Sequence, residues 1–251
     1  MNMPNYELKI KNYKFVSFRF KQFFIEDSKC AMKVGTDGVL LGAWAPIVFS
    51  NQYSVFRILD VGTGSGLIAR MLMQRCPEAE VEGIDIDAAA VEQACENGVK
   101  AFVSSLQEWQ NDQSPITNHK YDLVVSNPPY FQNSLKNPDK GREMARHTDT
   151  LSYEELVKHS ARLLREGGQL AVILPAEAET EIREIAAAEG LSPARITRVY
   201  SKESKPVRRI MMSFVMTTLR NDVMTTDTLV LEDEKGGRSL PYQNLCREFY
   251  L

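Results

Sequence analysis

The sequence predicts an α/β fold in which a mostly parallel sheet of seven strands carries helices on both faces. From residue 56 onward, short runs of Val, Ile and Leu alternate with longer segments of helical periodicity. This alternation is typical of parallel strands joined by helical crossovers. A glycine-rich turn directly follows the first of these strands. The chain of 251 residues is 43% apolar, which suffices for one well-buried core.

The individual elements follow from hydrophobic periodicity and from stop signals. Strands are expected at residues 56–61, 81–86, 100–104, 121–126, 169–174, 196–200 and 210–218. Helices are expected at residues 39–48, 65–75, 88–97, 153–165 and 176–189. Pro77 and the pair Gly167-Gly168 supply stop signals for two of the helices. We interpret the last two strands as an antiparallel closing pair.

The N-terminal part differs in character from the rest of the chain. Residues 6–27 are rich in aromatic side chains that alternate in places, which indicates a short β-rich extension. We therefore divide the chain into an extension, residues 1–50, and a main domain, residues 51–251, packed as one compact unit. The connection from Asn97 to Lys100 is unusually short, so either a tight loop joins helix and strand or residues are missing there.

Composition excludes several classes of protein. No basic segment followed by an apolar stretch opens the chain, and the longest near-apolar run, residues 39–49, is too short to span a bilayer. The four cysteines form no CxxC pair, so we expect reduced thiols in a cytoplasm and no metal site. The net charge of −3 argues against coating of nucleic acid through bulk charge, although local basic clusters exist.

The glycine-rich turn reads Asp60-Val61-Gly62-Thr63-Gly64-Ser65-Gly66. Glycines let the backbone turn tightly and approach a ligand, and the following helix presents free N–H groups. A carboxylate at Asp60 disfavours a pyrophosphate and favours a cationic ligand such as S-adenosylmethionine, which carries an ammonium and a sulfonium. At the end of the next strand, Asp85 can accept both ribose hydroxyls, and Ile86 can pack on the adenine. Asp87 is expected to cap the following helix.

A second motif, Asn127-Pro128-Pro129-Tyr130, follows the fourth strand of the core. Strand ends of this kind face the ligand in a doubly wound sheet. The Asn127 side-chain oxygen and the Pro128 carbonyl are two acceptors that can hold both hydrogens of an exocyclic amine and turn its lone pair to a methyl donor. The prolines stiffen the turn, and Tyr130 offers a face on which a base can stack. We therefore assign Asn127 to both the cofactor site and the reaction site.

These residues resemble known families. Residues 56–218 resemble a class I, Rossmann-like methyltransferase, and Asn127–Tyr130 is similar to its amino-methyltransferase signature. Nearly the whole chain resembles the bacterial tRNA1(Val) adenine-N6 methyltransferases, which modify the adenine 3′ of the anticodon. The segments that carry this likeness are residues 18–25, 30–44, 127–131, 146–148, 204–209 and 249–251.

The resemblance implies that S-adenosylmethionine is the cofactor, that tRNA is the substrate and that Lys33, Thr36 and Asp37 help to close over the cofactor. Thr36 or Asp37 can also serve as a helix cap, and both readings stay open. The short connection at Asn97 departs from the family pattern. It leaves in doubt the residues near 104–107 that would border the adenine of the cofactor.

A base in a folded anticodon arm must be splayed out to reach the reaction site, so the enzyme needs contacts to the flanking phosphates. Six basic residues are candidates for these contacts: Arg142, Arg146, His147, Lys205, Arg208 and Arg209.

Other functions use related chemistry. A glutamine methyltransferase of release factors shares the reaction motif but carries a helical N-terminal domain, unlike the aromatic extension here. A ribosomal RNA amino-methyltransferase is disfavoured only by the family-specific segments. A DNA adenine methyltransferase normally needs a separate target-recognition domain, for which the chain leaves little room. A degenerate fold used as a binding scaffold is disfavoured because Asp60, Asp85 and Asn127 are all present.

Overall fold

The computed structural model describes residues 17–48, 55–111, 120–129, 151–217 and 224–250. Predictions for the aromatic residues before position 17, for Tyr130, and for Arg142, Arg146 and His147 lie outside the described residues. The division of the chain at residue 50 stays a prediction, because residues 49–54 also lie outside them.

The first half of the chain alternates strands and helices as expected. A small antiparallel hairpin of β1 (Ser17–Arg19) and β2 (Phe24–Glu26) opens it, which agrees with a β-rich extension. The elements that follow are α1 (Thr36–Trp44), β3 (Arg57–Val61), α2 (Leu67–Arg75), β4 (Glu80–Asp85), α3 (Ala88–Glu96), β5 (Lys100–Val103), α4 (Leu106–Asn111) and β6 (Tyr121–Ser126).

The described residues of the second half complete the sheet and add three helices. Its elements are α5 (Tyr153–Leu163), β7 (Leu164–Pro175), a 3₁₀ turn (Ala176–Ala178), α6 (Glu179–Ala188), β8 (Leu191–Tyr200), β9 (Arg209–Met216), β10 (Thr225–Val230) and α7 (Leu240–Cys246). None of the helices in the described ranges combines the length and the apolar character that a bilayer-spanning segment needs.

Within the described residues, the main sheet has eight strands in the order β10-β8-β9-β7-β6-β3-β4-β5. Strand β9 runs antiparallel to both of its neighbours, which confirms the predicted closing pair, and the other pairings are parallel. The predicted count of seven strands is wrong because β10 was not recognised. Its sequence is mostly polar and only Leu229 is buried, as suits an edge strand whose pattern carries little hydrophobic signal.

Several element boundaries differ from the predicted ones, among them the junction between α5 and β7. The helix expected to end near Gly167 already ends at Leu163, and the strand begins at Leu164. The pairing of this strand with β6 shifts register between Tyr121 and Leu123, so the two glycines belong to an irregular start of the strand and not to a helix end. Helix α4 was not predicted.

The short connection before β5 is a tight loop. Gly98 has a φ of 83°, and its N–H donates to the Cys95 carbonyl at 2.9 Å. The Val99 N–H donates to the Ala94 carbonyl, also at 2.9 Å. These two bonds close the end of α3 in the manner of a left-handed helix cap, so the chain enters β5 directly.

A buried amide links the N-terminal hairpin to the main domain. Asn97 Oδ1 accepts the Glu26 N–H at 3.1 Å, and its Nδ2 donates to the Glu26 carbonyl at 2.7 Å and to the Ser65 carbonyl at 2.8 Å. The end of β2 is thereby attached to the glycine-rich turn. This attachment brings the segment after β2 over the carboxyl ends of the central strands.

Candidate active site

A cavity of about 780 Å³ lies at the carboxyl ends of β3, β4, β5 and β6. Its wall contains residues from the segment before α1, the glycine-rich turn, the end of β4 and the reaction motif. The basic loop before β9 contributes no residue to it. The lining residues are 30–38, 61–65, 67, 68, 84–87, 90, 104–108, 126–129, 151 and 155. A volume of this size falls within the range of small-molecule and cofactor sites.

The glycine-rich turn forms one wall of this cavity. Gly62 and Gly64 adopt φ angles of 70° and 55°, and a Cβ built on either would meet no atom within 4 Å. The backbone is therefore left-handed and open towards the cavity, as an approaching ligand requires. The N–H groups of Gly62 and Thr63 both donate to the Ile84 carbonyl, which fixes the turn against β4. Gly66 is the N-cap of α2 and does not line the cavity, contrary to its predicted cofactor contact.

Asp60 lies behind the turn and not on the cavity wall. The residue is fully buried, and its Oδ2 accepts hydrogen bonds from Thr63 Oγ1 at 2.8 Å and from the Ala69 N–H at 3.2 Å. Its Oδ1 has no hydrogen-bond partner among the described residues. Burial raises the pKa of Asp60 to about 7. The expectation that this carboxylate projects into the pocket is thus corrected: Asp60 joins the turn to the first residues of α2.

Asp85, in contrast, lies on the cavity wall at the end of β4. One carboxylate oxygen accepts the Gly64 N–H at 2.9 Å and the other accepts the Asp87 N–H at 3.0 Å. Each oxygen keeps lone pairs for a further donor, so the pair can accept two neighbouring hydroxyls. Ile86 beside it is 60% exposed, which presents an apolar surface to the cavity. Asp87 caps α3 by accepting the Ala89 N–H, as predicted.

Another part of the cavity wall was only partly anticipated. The residues near 104–107 line the cavity, and the Ser104 N–H donates to the Asp85 carbonyl at 3.0 Å. The helix that carries them, α4, begins with a reciprocal cap between Ser105 and Glu108. Hydrogen bonds from this cap lower the pKa of Glu108. A Ser-x-x-Glu pattern signals such a cap in the sequence, so α4 was detectable.

A second Ser-x-x-Glu pair adds an unanticipated residue to the same wall. Glu155, in the first turn of α5, lines the cavity and forms a capping box with Ser152. Its carboxylate accepts the Ser152 N–H at 3.1 Å, and the Glu155 N–H donates to Ser152 Oγ at 3.1 Å. This backbone hydrogen bond and one with the Gln107 side chain lower the pKa of Glu155. Gln107 and Glu155 thus join α4 to α5 beside the cavity.

The reaction motif meets the cofactor turn at the tip of β6. Ser126 pairs in register with Val61, and its hydroxyl donates to the Val61 carbonyl at 2.9 Å. Asn127, Pro128 and Pro129 follow immediately and line the cavity that Asp85 also lines. Pro128 is buried, and Asn127 Nδ2 lies 3.9 Å from the Met32 sulfur. The predicted meeting of Asn127 with the cofactor segments is therefore present in the structure, whereas Tyr130 lies outside the described residues.

The segment between the hairpin and α1 forms part of the cavity wall. Lys33, Thr36 and Asp37 all line it. Lys33 Nζ donates to the Asp27 carbonyl at 2.6 Å, and the Asp27 carboxylate accepts the Val34 N–H at 2.8 Å. These bonds fold the segment into a closed turn.

Neither Thr36 nor Asp37 caps α1. The N-cap of the helix is Gly35, without a side-chain cap bond, so the alternative reading of Thr36 or Asp37 as the capping residue is wrong. Instead, Asp37 Oδ2 accepts a hydrogen bond from Arg209 Nε at 2.8 Å.

Two of the basic residues expected to bind RNA are exposed on the loop between β8 and β9. Lys205 and Arg208 both lie in that loop. Arg209 differs, since its guanidinium is directed to Asp37 on the cavity wall and to the Arg208 carbonyl. The structure therefore gives Arg209 an internal partner, and its phosphate contact stays a prediction.

Comparisons with known proteins agree with this geometry. A family model described as the methyltransferase small domain matches residues 48–185. Relatives named tRNA1(Val) (adenine(37)-N6)-methyltransferase include one from Bacteroides fragilis that is 44% identical over 239 residues, covering 93% of this chain and 97% of the relative. One from Parabacteroides distasonis is 45% identical over 238 residues, with the same coverages. One from Flavobacterium johnsoniae is 40% identical over 244 residues, covering 93% of this chain and 99% of the relative.

Solved structures share the fold at much lower sequence identity. A predicted O-methyltransferase of Agrobacterium tumefaciens superimposes with a TM-score of 0.61 at 16% identity, covering 84% of this chain and 96% of that one. The T. thermophilus 16S rRNA N2 G1207 methyltransferase, solved with AdoMet and guanosine, gives a TM-score of 0.50 at 19% identity, covering 78% of this chain and 42% of that one. These likenesses concern the fold alone.

The sequence relatives cover nearly the whole chain at high identity, and the family model covers more than half of it. The chain therefore belongs to the methyltransferase small domain family and, within it, to the family of tRNA1(Val) (adenine(37)-N6)-methyltransferases.

Proposed function

We propose that this protein transfers the methyl group of S-adenosylmethionine to N6 of an adenine in tRNA, and that its target is adenine 37 of tRNA1(Val). The observation that carries the proposal is the position of Asn127 and Pro128 in the same cavity as Asp85 and the glycine-rich turn. The names of the relatives, which match nearly the whole chain, support the choice of nucleotide.

The described residues fit S-adenosylmethionine. Gly62 and Gly64 leave open space where a side chain would otherwise stand, so the ligand can lie against the backbone. Asp85 is suited to accept the two ribose hydroxyls, and the exposed side chain of Ile86 is suited to pack on the adenine. The bound cofactor supplies an electrophilic methyl group on a sulfonium.

Asn127 and Pro128 would hold the attacking amine. The nitrogen lone pair of an exocyclic amine is delocalised into the ring, which makes it a poor nucleophile. The Asn127 Oδ1 and the Pro128 carbonyl each accept one of the two N–H groups, which draws the nitrogen towards tetrahedral geometry. The buried ring of Pro128 restrains the backbone that carries both acceptors. Alignment of the amine supplies most of the rate enhancement, and the methylated cation loses its proton to water.

Contacts to phosphates would hold the RNA while the target base is splayed out. Lys205 and Arg208 are suited to this role because they are exposed on the loop that precedes β9, whose first residue contacts the cavity wall through Asp37. Arg142, Arg146 and His147 remain candidates from the segment that follows the reaction motif. The finer assignment of each residue to a phosphate is part of the proposal.

Methyl transfer to defined substrates tests the proposed function. The purified protein is incubated with methyl-labelled S-adenosylmethionine and either a tRNA1(Val) transcript, the same transcript with guanine at position 37, or a release factor. We expect label only in the first, recovered as N6-methyladenosine by nucleoside mass spectrometry. Label in the release factor, or in the transcript that lacks adenine 37, would contradict the proposal.

A further inference from the structure

Met32 combines an unusual exposure with a position inside the cavity. It is 52% exposed although its side chain is large and apolar, and it lines the cavity together with Asn127. Its sulfur lies 3.9 Å from Asn127 Nδ2, within the reach of an N–H to sulfur hydrogen bond. The contact joins residues from distant parts of the chain at the point where the reacting amine would bind.

The chemistry of this contact distinguishes the two ends of the Asn127 amide. A thioether sulfur has lone pairs but no hydrogen to donate, so it accepts from the NH2 end and offers nothing to the oxygen. The amide oxygen and nitrogen are similar in size, and a half-turn of the side chain would exchange them. If the NH2 end faced the substrate, its N–H donors would face the N–H donors of the reacting amine. A partner that takes the NH2 end therefore favours the orientation in which Oδ1 faces the amine.

The segment that carries Met32 is held in place on both sides of the residue. The Cys30 N–H donates to the Asp27 carbonyl at 3.1 Å, and the Cys30 side chain is buried. After Met32, Lys33 Nζ donates to the Asp27 carbonyl and the Val34 N–H donates to the Asp27 carboxylate. Because the backbone is fixed around it, Met32 extends towards Asn127 from a closed turn.

We propose that Met32 is a positioning residue for methyl transfer, whose thioether holds the NH2 end of the Asn127 amide so that Oδ1 is directed at the reacting amine. This inference rests on the proposed function and extends it to a residue of the N-terminal segment. Met32 acts through Asn127 and takes no part in the chemical step.

Substitutions at Met32 test the proposal with kinetics. Met32→Leu keeps the volume and removes the acceptor, whereas Met32→Gln restores an acceptor at a similar reach. We expect kcat of the Leu variant to fall about fivefold, as for the loss of a hydrogen bond of ordinary strength, while the Kd for S-adenosylmethionine changes less than about twofold. The Gln variant should recover most of kcat. Met73→Leu is a matched control, because Met73 packs on the core in α2.

A second measurement does not depend on turnover. In a ¹H–¹⁵N spectrum, the side-chain amide resonances of Asn127 should shift in Met32→Leu and stay unchanged in Met73→Leu. Wild-type kcat in Met32→Leu, a Gln variant as slow as the Leu variant, or unshifted amide resonances would overturn the proposal. An inactive wild-type enzyme would instead contradict the proposed function, and the amide resonances would still decide whether Met32 holds Asn127.

Discussion

The Asp37 carboxylate and the Arg209 guanidinium form an ion pair of 2.8 Å between residues 172 positions apart in the chain. The pair joins the first turn of α1, on the cavity wall, to the first residue of β9. Both side chains are partly buried, so the attraction between them is less screened than that of a surface pair. Arg209 therefore holds the first turn of α1 on the cavity wall, whereas its neighbour Arg208 is exposed on the loop, as Lys205 is.

This division of roles predicts different effects for two adjacent arginines. Arg209→Ala should raise the Kd for S-adenosylmethionine about fivefold, because Asp37 loses its ion pair with Arg209, and should leave the salt dependence of tRNA binding unchanged. Arg208→Ala should instead flatten the salt dependence of tRNA binding and leave the Kd for S-adenosylmethionine unchanged. Calorimetry and filter binding at several salt concentrations measure both. The assignment is wrong if Arg209→Ala alters the salt dependence as much as Arg208→Ala does.

Removal of the Asn127 amide should separate binding from turnover. Asn127→Ala removes one of the two acceptors for the amine but none of the bonds seen for Asp85 or the glycine turn. We expect kcat to fall at least about a hundredfold, as for the loss of one preorganised hydrogen bond to the reacting group, with cofactor affinity changed less than about threefold. Single-turnover methylation and calorimetry provide the two numbers. A variant with nearly normal turnover would remove Asn127 from the reaction.

The open side of the glycine turn predicts a cofactor-specific effect of one methyl group. Gly64→Ala places a Cβ in the cavity and strains a left-handed backbone, so it should cost about 1 kcal/mol of stability and weaken cofactor binding at least about tenfold. Gly190→Ala is the control, because Gly190 also has a positive φ and open space but lies at the end of α6, away from the cavity. Urea unfolding and calorimetry should show similar losses of stability and unchanged cofactor affinity in the control. Equal affinities in the two variants would argue against a ligand at the turn.

The buried carboxyl of Asp60 predicts a pH-dependent stability. Burial raises its pKa to about 7 from an ordinary value of 3.8, so the folded state holds a proton that the unfolded state releases. The folded state consequently loses stability from this group as pH rises from about 4 to about 7, by up to about 4 kcal/mol. Asp60→Asn removes this loss, and its Oδ1 can still accept from Thr63 and Ala69. The variant should therefore gain stability over the wild type at pH 8 relative to pH 5 in urea unfolding. A pH-independent difference would show that Asp60 stays ionised.

Much of the site was predictable because its determinants are local. Three of its parts lie at strand ends: the glycine turn after β3, the aspartate at the end of β4 and the Asn-Pro-Pro motif after β6. A parallel sheet brings these strand ends to one edge. The position of Asp60 was not predictable, since it depends on the packing of α2 against the turn. The pair between Asp37 and Arg209 depends on the order of strands, and a polar edge strand such as β10 gives too weak a pattern to be recognised.

The amide of Asn97 has consequences for anyone who seeks a minimal catalytic fragment of this enzyme. Its oxygen and both of its hydrogens are bonded, two of the three to the backbone of Glu26 and one to that of Ser65. A fragment that starts after the hairpin would leave two polar groups of the buried Asn97 side chain without these partners, next to the cofactor turn. Each unsatisfied group would lower the stability of the fold by about 1–3 kcal/mol. Trimming therefore has to stop before β2, or be accompanied by an apolar replacement at position 97.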